Sequence, residues 1–393
     1  MSIFGYGMSN GTGSIFMPVI IEDLGITYAS YSVTSILSTA VLIICMPIIG
    51  KIAHKVSPKL ITSAAAILLA AGFLVRASAT SVWGIYASSI LSGIGSSVLT
   101  GMYASILLAT WFETRLGSVT GIMWAVGGFS AALFNPIASH AIVQFGWRQA
   151  SVLMGAIAAA ALLPTAVFLL RIPSNRKDIY REGAIAAGKN QHPESIYGLT
   201  KQEIRHLPAY YLIIVATVGF SCVSMLPSFT GAQVLSRGLD LVQSGYVSSC
   251  LMAAAGIAKI LLGILLDRFG PQAVLLVYAL LGAGGMVGMG YADSAAAIIC
   301  SGFLTGIGTS IYSVSLPFIL KSVIGNREYN QTYSKLTMLT CVAPLIIAVP
   351  IGMLYDFAGS YSIYYTICAA LIVGAGLLLV LTYRSSDRHR PQG

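Results

Sequence analysis

The chain has 393 residues, of which 56% are hydrophobic and only 9% charged, and its formal charge is +9. With a mean hydropathy of +0.82 it cannot cover a water-facing surface, where about a quarter of the residues are normally charged, so a soluble enzyme or nucleic-acid-binding domain is excluded. Lipid offers the backbone no hydrogen-bond partners, which leaves helices or a closed barrel, and the unbroken apolar runs at 64–75 and 367–381 lack the alternation of barrel strands.

A spanning helix takes about 20 mostly apolar residues. Twelve such segments follow one another, at 3–21, 31–50, 60–79, 83–109, 117–142, 147–170, 208–233, 243–266, 272–291, 295–320, 332–355 and 361–383. The first has no basic stretch before it and reads as a mature helix rather than a cleavable signal. The long polar stretch between the sixth and seventh, Arg171 to Leu207, predicts a solvated linker with room for one surface helix. The expected architecture is therefore an all-α membrane protein: an N-terminal six-helix bundle (1–170), a linker (171–207), a C-terminal six-helix bundle (208–383) and a short tail (384–393).

Sidedness follows from the basic residues. If odd-numbered helices run outwards, the inner loops and tail hold Lys51, Lys55, Lys59, Arg115, the linker set, Arg268, Lys321, Arg327, Arg384, Arg388 and Arg390, against Arg76, Arg148 and Arg237 outside. This positive-inside bias predicts that both termini and the linker are cytoplasmic, in a multi-pass protein of the cell membrane. It also accounts for the net charge without an acidic or nucleic-acid partner. The six cysteines lie in apolar runs without a C-x-x-C pair, and the histidines lack ligand spacing, so no disulfide, metal or cofactor is expected. No metal motif, pair of deep carboxylates or Ser/His/Asp set points to an enzyme.

The two halves repeat. Gly25 and Gly238 follow the first helix of each half, Gly50 and Gly263 end the second, and Gly93-Ile94-Gly95 and Gly306-Ile307-Gly308 recur in the fourth. Gly146 and Gly359 precede the last, and all share one offset of 213 residues (263 − 50). Internal repeats of this kind let transporters alternate access to a site at mid-membrane.

The eighth and ninth helices are joined by Gly263-Ile264-Leu265-Leu266-Asp267-Arg268-Phe269-Gly270. This resembles the G-x-x-x-D-R-x-G signature of the major facilitator superfamily, and implies that family's fold. In it the loop acts as a latch on the cytoplasmic face. Gly263 would allow close helix approach, Asp267 cap a helix N-terminus or pair with a cation, and Gly270 permit the turn. The first-half counterpart keeps Gly50, Lys51 and Lys55 but has His54 for the acid and Ser57 for the second glycine. It is either a weaker latch or a plain basic turn. Trp111-Phe112-Glu113-Thr114-Arg115-Leu116-Gly117, Phe145-Gly146-Trp147-Arg148 and Leu354-Tyr355-Asp356-Phe357-Ala358-Gly359-Ser360-Tyr361 are similar to segments of the oxalate/formate antiporter and monocarboxylate transporter group. That resemblance implies a secondary transporter of a small organic anion.

Among ionisable residues in the spans, Arg76 lies within a turn of its helix end, where snorkelling would satisfy it. Lys335 is placed at the interface. Lys259 lies two turns before Asp267, about 12 Å from the helix end and close to mid-membrane. A cation there is costly unless it meets water or an anion. The offset maps it onto Met46, so packing does not require the charge. Lys259 also falls where the resembling group carries its substrate-binding cation. A lysine that is neutral when empty would take up a proton with an arriving carboxylate, coupling anion and proton; exchange for a counter-anion stays open. The alternative is a lysine satisfied by helix carbonyls or reaching an interface. Asn10, Tyr103, Trp124 and Tyr312 stand on helices that line the family's cavity, and offer donors and rings to the cargo, although helix packing accounts for each equally well. Asn135-Pro136 reads as a kink whose amide satisfies freed backbone groups. Gly13, Gly93, Gly95, Gly306 and Gly308 read as close-contact positions. With one cationic centre, a monocarboxylate is favoured over a dicarboxylate, and a monomer is expected. The competing readings are an efflux pump for amphiphilic compounds and a membrane channel or receptor.

Overall fold

The computed structural model describes residues 2–52, 55–100, 107, 116–170, 199–325 and 327–387. Among these there is no β-strand. The first span, α1, is built of three pieces: a helix Ser2–Tyr6, a π-helical turn Gly7–Gly11 and a helix Gly13–Leu24. It is followed by α2 (Tyr28–Ile52), α3 (Pro58–Ala77) and α4 (Val82–Thr100). The helix Leu116–Pro164 breaks at Gly146, whose φ of 79° and ψ of 161° are non-helical. The break separates α5 (116–145) from α6 (147–164, prolonged by a π turn Thr165–Leu169). Only a glycine adopts that conformation without strain.

The second half begins with a short helix Lys201–His206. Thr200 and Glu203 cap it reciprocally, satisfying two of the free N–H groups of its first turn. Leu199 donates its N–H to the Ile324 carbonyl at 2.9 Å, and Lys201 lies 4.0 Å from Glu328. Next come α7 (Pro208–Val223 and Leu226–Ser236, bent by 42°), α8 (Leu241–Phe269), α9 (Pro271–Tyr291), α10 (Ala295–Ile324), α11 (Tyr329–Ala358) and α12 (Ser362–Asp387). Among the described residues, nine helices are long and apolar enough to cross a membrane, and ten if α7 is one bent span. The Gly146 break and the segmented α1 account for the difference from twelve.

The chain divides into two compact units. Unit 1 comprises Met1–Lys189, Thr230–Ser249 and Ala348–Gly359; unit 2 comprises Asn190–Phe229, Cys250–Ile347 and Ser360–Gly393. The core of unit 1 gathers Ile15, Phe16, Leu69, Phe73, Phe134, Trp147 and Met154. The π turn of α1 lies hard against α5: a Cβ added at Gly7 would meet Ser130, and one at Gly11 would meet Ala131, both at 2.5 Å. Arg148 pairs with Asp23 at 2.7 Å, tying the start of α6 to the end of α1. Unit 2 joins α9, α10 and α12 with the first part of α7. There the Tyr364 hydroxyl donates to the Cys222 carbonyl at 2.6 Å, and the Ser362 hydroxyl donates to the Gly290 carbonyl at 2.8 Å.

The 213-residue offset is also a repeat of contacts. A Cβ on Gly72 would stand 2.8 Å from the Ser92 N, and one on Gly285 would meet the Thr305 N. One on Gly95 would be 2.7 Å from the Leu69 N, and one on Gly308 would be 2.7 Å from the Gly282 Cα. Gly93 faces Ser38, and Gly306 faces Leu251. Each partner pair obeys the same offset. The glycines at the turns repeat as well, with positive φ at Gly25, Gly146, Gly238 and Gly359. Gly13 differs from expectation, since a Cβ there would have nothing within 4 Å.

Candidate functional site

Helix geometry fixes where Lys259 points. Along the middle of α8, Ile257, Ile260, Leu261 and Ile264 are exposed, whereas Ala254, Ala255, Ala258 and Leu262 are buried. At 100° per residue, Lys259 stands about 150° round the helix from the middle of the exposed stripe. It is thus on the side turned away from the exposed apolar residues. Its side chain is half-buried, and among the described residues it has no hydrogen-bond or ion-pair partner. The neighbouring Ala258 carbonyl accepts from the Tyr278 hydroxyl at 3.4 Å. Among the described residues the ammonium is therefore left without a partner, which is the condition a cation needs to receive an anionic ligand.

The other expected site residues are placed as follows. Tyr312 is half-buried on α10. Tyr103 lies outside the described residues, as do the side chains of Asn10 and Trp124, although their backbones belong to α1 and α5. Nothing brings these four to Lys259 among the described contacts. In the loop after α8, Gly270 takes φ 76° and ψ 163°, and Pro271 starts α9. Arg268 is exposed and stands 5.6 Å from the Phe269 ring centroid. The Asp267 side chain is outside the description. A Cβ on Gly263 would meet nothing within 4 Å, so the close helix approach expected at that glycine does not appear among the described residues. Gly50 and Lys51 lie in α2, with the Lys51 side chain undescribed, and Lys55 and Lys335 are exposed.

Two sequence expectations are corrected. Arg76 does not snorkel. Its guanidinium lies 4.0 Å from the Phe16 ring centroid and 4.7 Å from that of Phe73, and its Nε donates to the Ser151 hydroxyl at 3.0 Å. Its buried Nη2 has no partner. Stacking on aromatic faces is favourable for a desolvated guanidinium, and it draws the side chain inward between α1, α3 and α6. The repeat held a signal for this. The offset maps Arg76 onto Met289, which is fully buried, so the position faces inward in both halves. Asn135, expected to satisfy backbone groups freed by Pro136, does not. It is fully buried, and among the described residues neither Oδ1 nor Nδ2 has a partner. The carbonyl that Pro136 deprives of its N–H donor is that of Ala132, and it accepts from the Ser249 hydroxyl instead.

Comparison with known proteins comes from three directions. The sequence profile of the Major Facilitator Superfamily matches residues 1–253 and 234–393. The chain is 22% identical over 392 residues to an uncharacterised 38 kDa protein in a 23S RNA operon of Thermoproteus tenax, covering 97% of this chain and 93% of that protein. It is 21% identical over 369 residues to monocarboxylate transporter 12 of Homo sapiens, covering 86% of this chain and 70% of that protein. The crystal structure of a bacterial homolog of the human lysosomal transporter Spinster superposes with a TM-score of 0.70 at 16% identity, covering 99% of this chain and 96% of that one. Such a likeness speaks for the fold.

Proposed function

This chain belongs to the Major Facilitator Superfamily, and from that premise we propose that it is a secondary transporter of small organic anions, of the monocarboxylate class, in which Lys259 receives the carboxylate. The observation that carries the reading is an ammonium on α8 that has no partner among the described residues and is turned away from the exposed apolar stripe. Its counterpart in the other half is Met46. A desolvated cation without a partner is costly in a membrane, and a bound carboxylate removes that cost. Arg76, another cation inside the spans, is closed in by two phenyl rings and a serine, so it holds helices together while Lys259 is left for cargo. The resemblance to monocarboxylate transporter 12 favours the same class.

In this reading the anion crosses the cell membrane with a proton taken up at Lys259, or in exchange for a second anion. Both termini are cytoplasmic, and two six-helix repeats (1–170 and 208–383) supply the moving parts. Asn10, Tyr103, Trp124 and Tyr312 complete the pocket. The loop at Gly263, Asp267, Arg268 and Gly270, with its partner at Gly50, Lys51 and Lys55, latches the cytoplasmic face.

The test is uptake by proteoliposomes under an imposed pH gradient, with a panel of radiolabelled mono- and dicarboxylates. Wild-type protein should accumulate a monocarboxylate, and Lys259→Gln should not, although it folds. Full uptake by Lys259→Gln overturns the reading. The same panel read as shifts in thermal midpoint identifies which carboxylates bind.

A further inference from the structure

Unit 1 contains a seam that the anion site does not use. At the end of the unit marked by the turns at Gly25, Gly146, Gly238 and Gly359, the last part of α7, the first part of α8 and the last part of α11 pack on α1, α5 and α2. Glycines make the contact at each crossing. A Cβ on Gly231 of α7 would meet the Ser14 carbonyl, and one on Gly245 of α8 would meet the Ser139 hydroxyl. One on Gly352 of α11 would be 2.6 Å from the Ala29 Cα and 2.7 Å from the Ser32 hydroxyl. Two of the opposed carbonyls are those that prolines leave without an N–H donor. Pro18 frees Ser14, which faces Gly231, and Pro136 frees Ala132, which accepts from Ser249. At the rim, the Asp356 carboxylate accepts from the backbone N–H groups of Tyr28 at 2.8 Å and Ala29 at 2.9 Å. This caps the N-terminus of α2, where negative charge is favoured. The ring of Tyr355 lies 3.8 Å from that of Tyr28.

Against these contacts stand two polar groups that the seam strands. Among the described residues both ends of the Asn135 amide lack partners, and so does the buried hydroxyl of Ser248, which is three residues from Gly245. Other buried hydroxyls of the unit return to their own helix, as Thr12 does to Met8, Ser130 to Gly127 and Ser151 to Trp147. A buried donor or acceptor without a partner forfeits its hydration for nothing. Packing does not demand the amide, because the offset maps Asn135 onto Ala348, which is fully buried and apolar. We propose that the seam is a gate held near balance: the glycine contacts and the Asp356 cap keep it shut, and the stranded Asn135 and Ser248, which regain water when it parts, favour its opening. The proposal rests on membership of a transporter family and not on the nature of the cargo.

The experiment uses purified full-length protein in nanodiscs with Ser14→Cys, a position 3% exposed. The readout is its rate of labelling by a water-soluble maleimide above the parent's own cysteines. Ser248→Ala and Asn135→Ala, each added to it, should slow labelling roughly fivefold or more and raise the thermal midpoint, as expected when a stranded polar group is removed from the shut state. Asp356→Ala and Gly231→Ala should speed it. Gly284→Ala, where a Cβ would meet nothing within 4 Å, should leave it unchanged. Should Gly231→Ala fail to fold, Asp356→Ala keeps the opening arm in place. Unchanged labelling in both alanine variants, or a lowered midpoint, overturns the proposal and makes Asn135 and Ser248 ligands of a bound water. A raised KM with unchanged labelling also overturns it and makes the amide a cargo contact. Because labelling needs no substrate, failure here and failure of the anion reading are separate results.

Discussion

The two repeats share the glycine contacts at Gly72 and Gly285, Gly93 and Gly306, and Gly95 and Gly308, yet they place their cations at different points. At one pair of equivalent positions the first half has Arg76 and the second Met289. At another the first has Met46 and the second Lys259. In each pair a methionine in one half stands where the other half has a long charged side chain of similar reach. The environments then decide what each charge does. Arg76 is roofed by Phe16 and Phe73 and held by Ser151. In the second half the equivalent of Phe16 is Phe229, and the equivalent of Ser151 is Tyr364. These two rings pack 5.9 Å apart, and Met289 is fully buried, so the equivalent position is buried there without a charge. Among the described residues Lys259 has no such aromatic or hydrogen-bond partner. A repeat fold thus supplies its own control: what one half does without, packing does not require.

The largest expected effect comes from giving each cation the residue of the other half. Lys259→Met should reduce carboxylate uptake by about tenfold or more, the equivalent of one charged hydrogen bond, with little loss of fold. Arg76→Met should keep most uptake, measured in the same proteoliposomes. If Arg76→Met abolishes uptake while Lys259→Met spares it, the two roles are reversed. Next in size is the crossing of the third and fourth helices of each repeat. Gly72→Ala and Gly285→Ala should each destabilise by about 1–3 kcal/mol through overpacking against backbone, read as matching falls in thermal midpoint. A large fall in only one would break the equivalence of the halves. Arg76→Ala should cost about 1–2 kcal/mol, because the phenyl rings lose their partner and a void remains, and Arg76→Met should recover most of it.

The smallest effect lies outside the spans. The backbone N–H and hydroxyl of Thr200 hold the Glu203 carboxyl below the ordinary carboxylate range, helped by Arg327 nearby. A group whose folded pKa is depressed stabilises the fold above its unfolded value, near pH 4.3, and loses that contribution as pH falls through the folded value. Glu203→Gln should therefore flatten the acid limb of the thermal midpoint below about pH 4.3. The first half offers no capping box among its described helices, so an equal flattening by a distant carboxylate such as Asp293→Asn would detach the effect from Glu203.

Much of the fold was legible because lipid imposes a coarse rule. Every spanning backbone must close its own hydrogen bonds, so span lengths and turn glycines can be read directly, and the 213-residue repeat reappears as contacts made by in-helix glycines such as Gly72 and Gly285. The place of Lys259 within α8, two turns before Asp267, was legible for the same reason, since rise per residue converts sequence into ångströms. The inward turn of Arg76 was not, because a helix end permits both snorkelling and aromatic stacking, and the choice depends on Phe16 approaching from another helix. Nor was the isolation of Asn135, since an amide beside a proline ordinarily serves the freed carbonyl. Here that carbonyl is taken by Ser249, 117 residues away in sequence.

Composition and periodicity by themselves determined a helical membrane protein of two repeated halves with one mid-span lysine, because hydrophobic length and helical rise are local quantities. Tertiary structure alone decided which charge is enclosed and which is left free, and which polar groups are stranded at a seam. Those outcomes depend on the side chains that neighbouring helices bring within about 4 Å, and no local pattern encodes them.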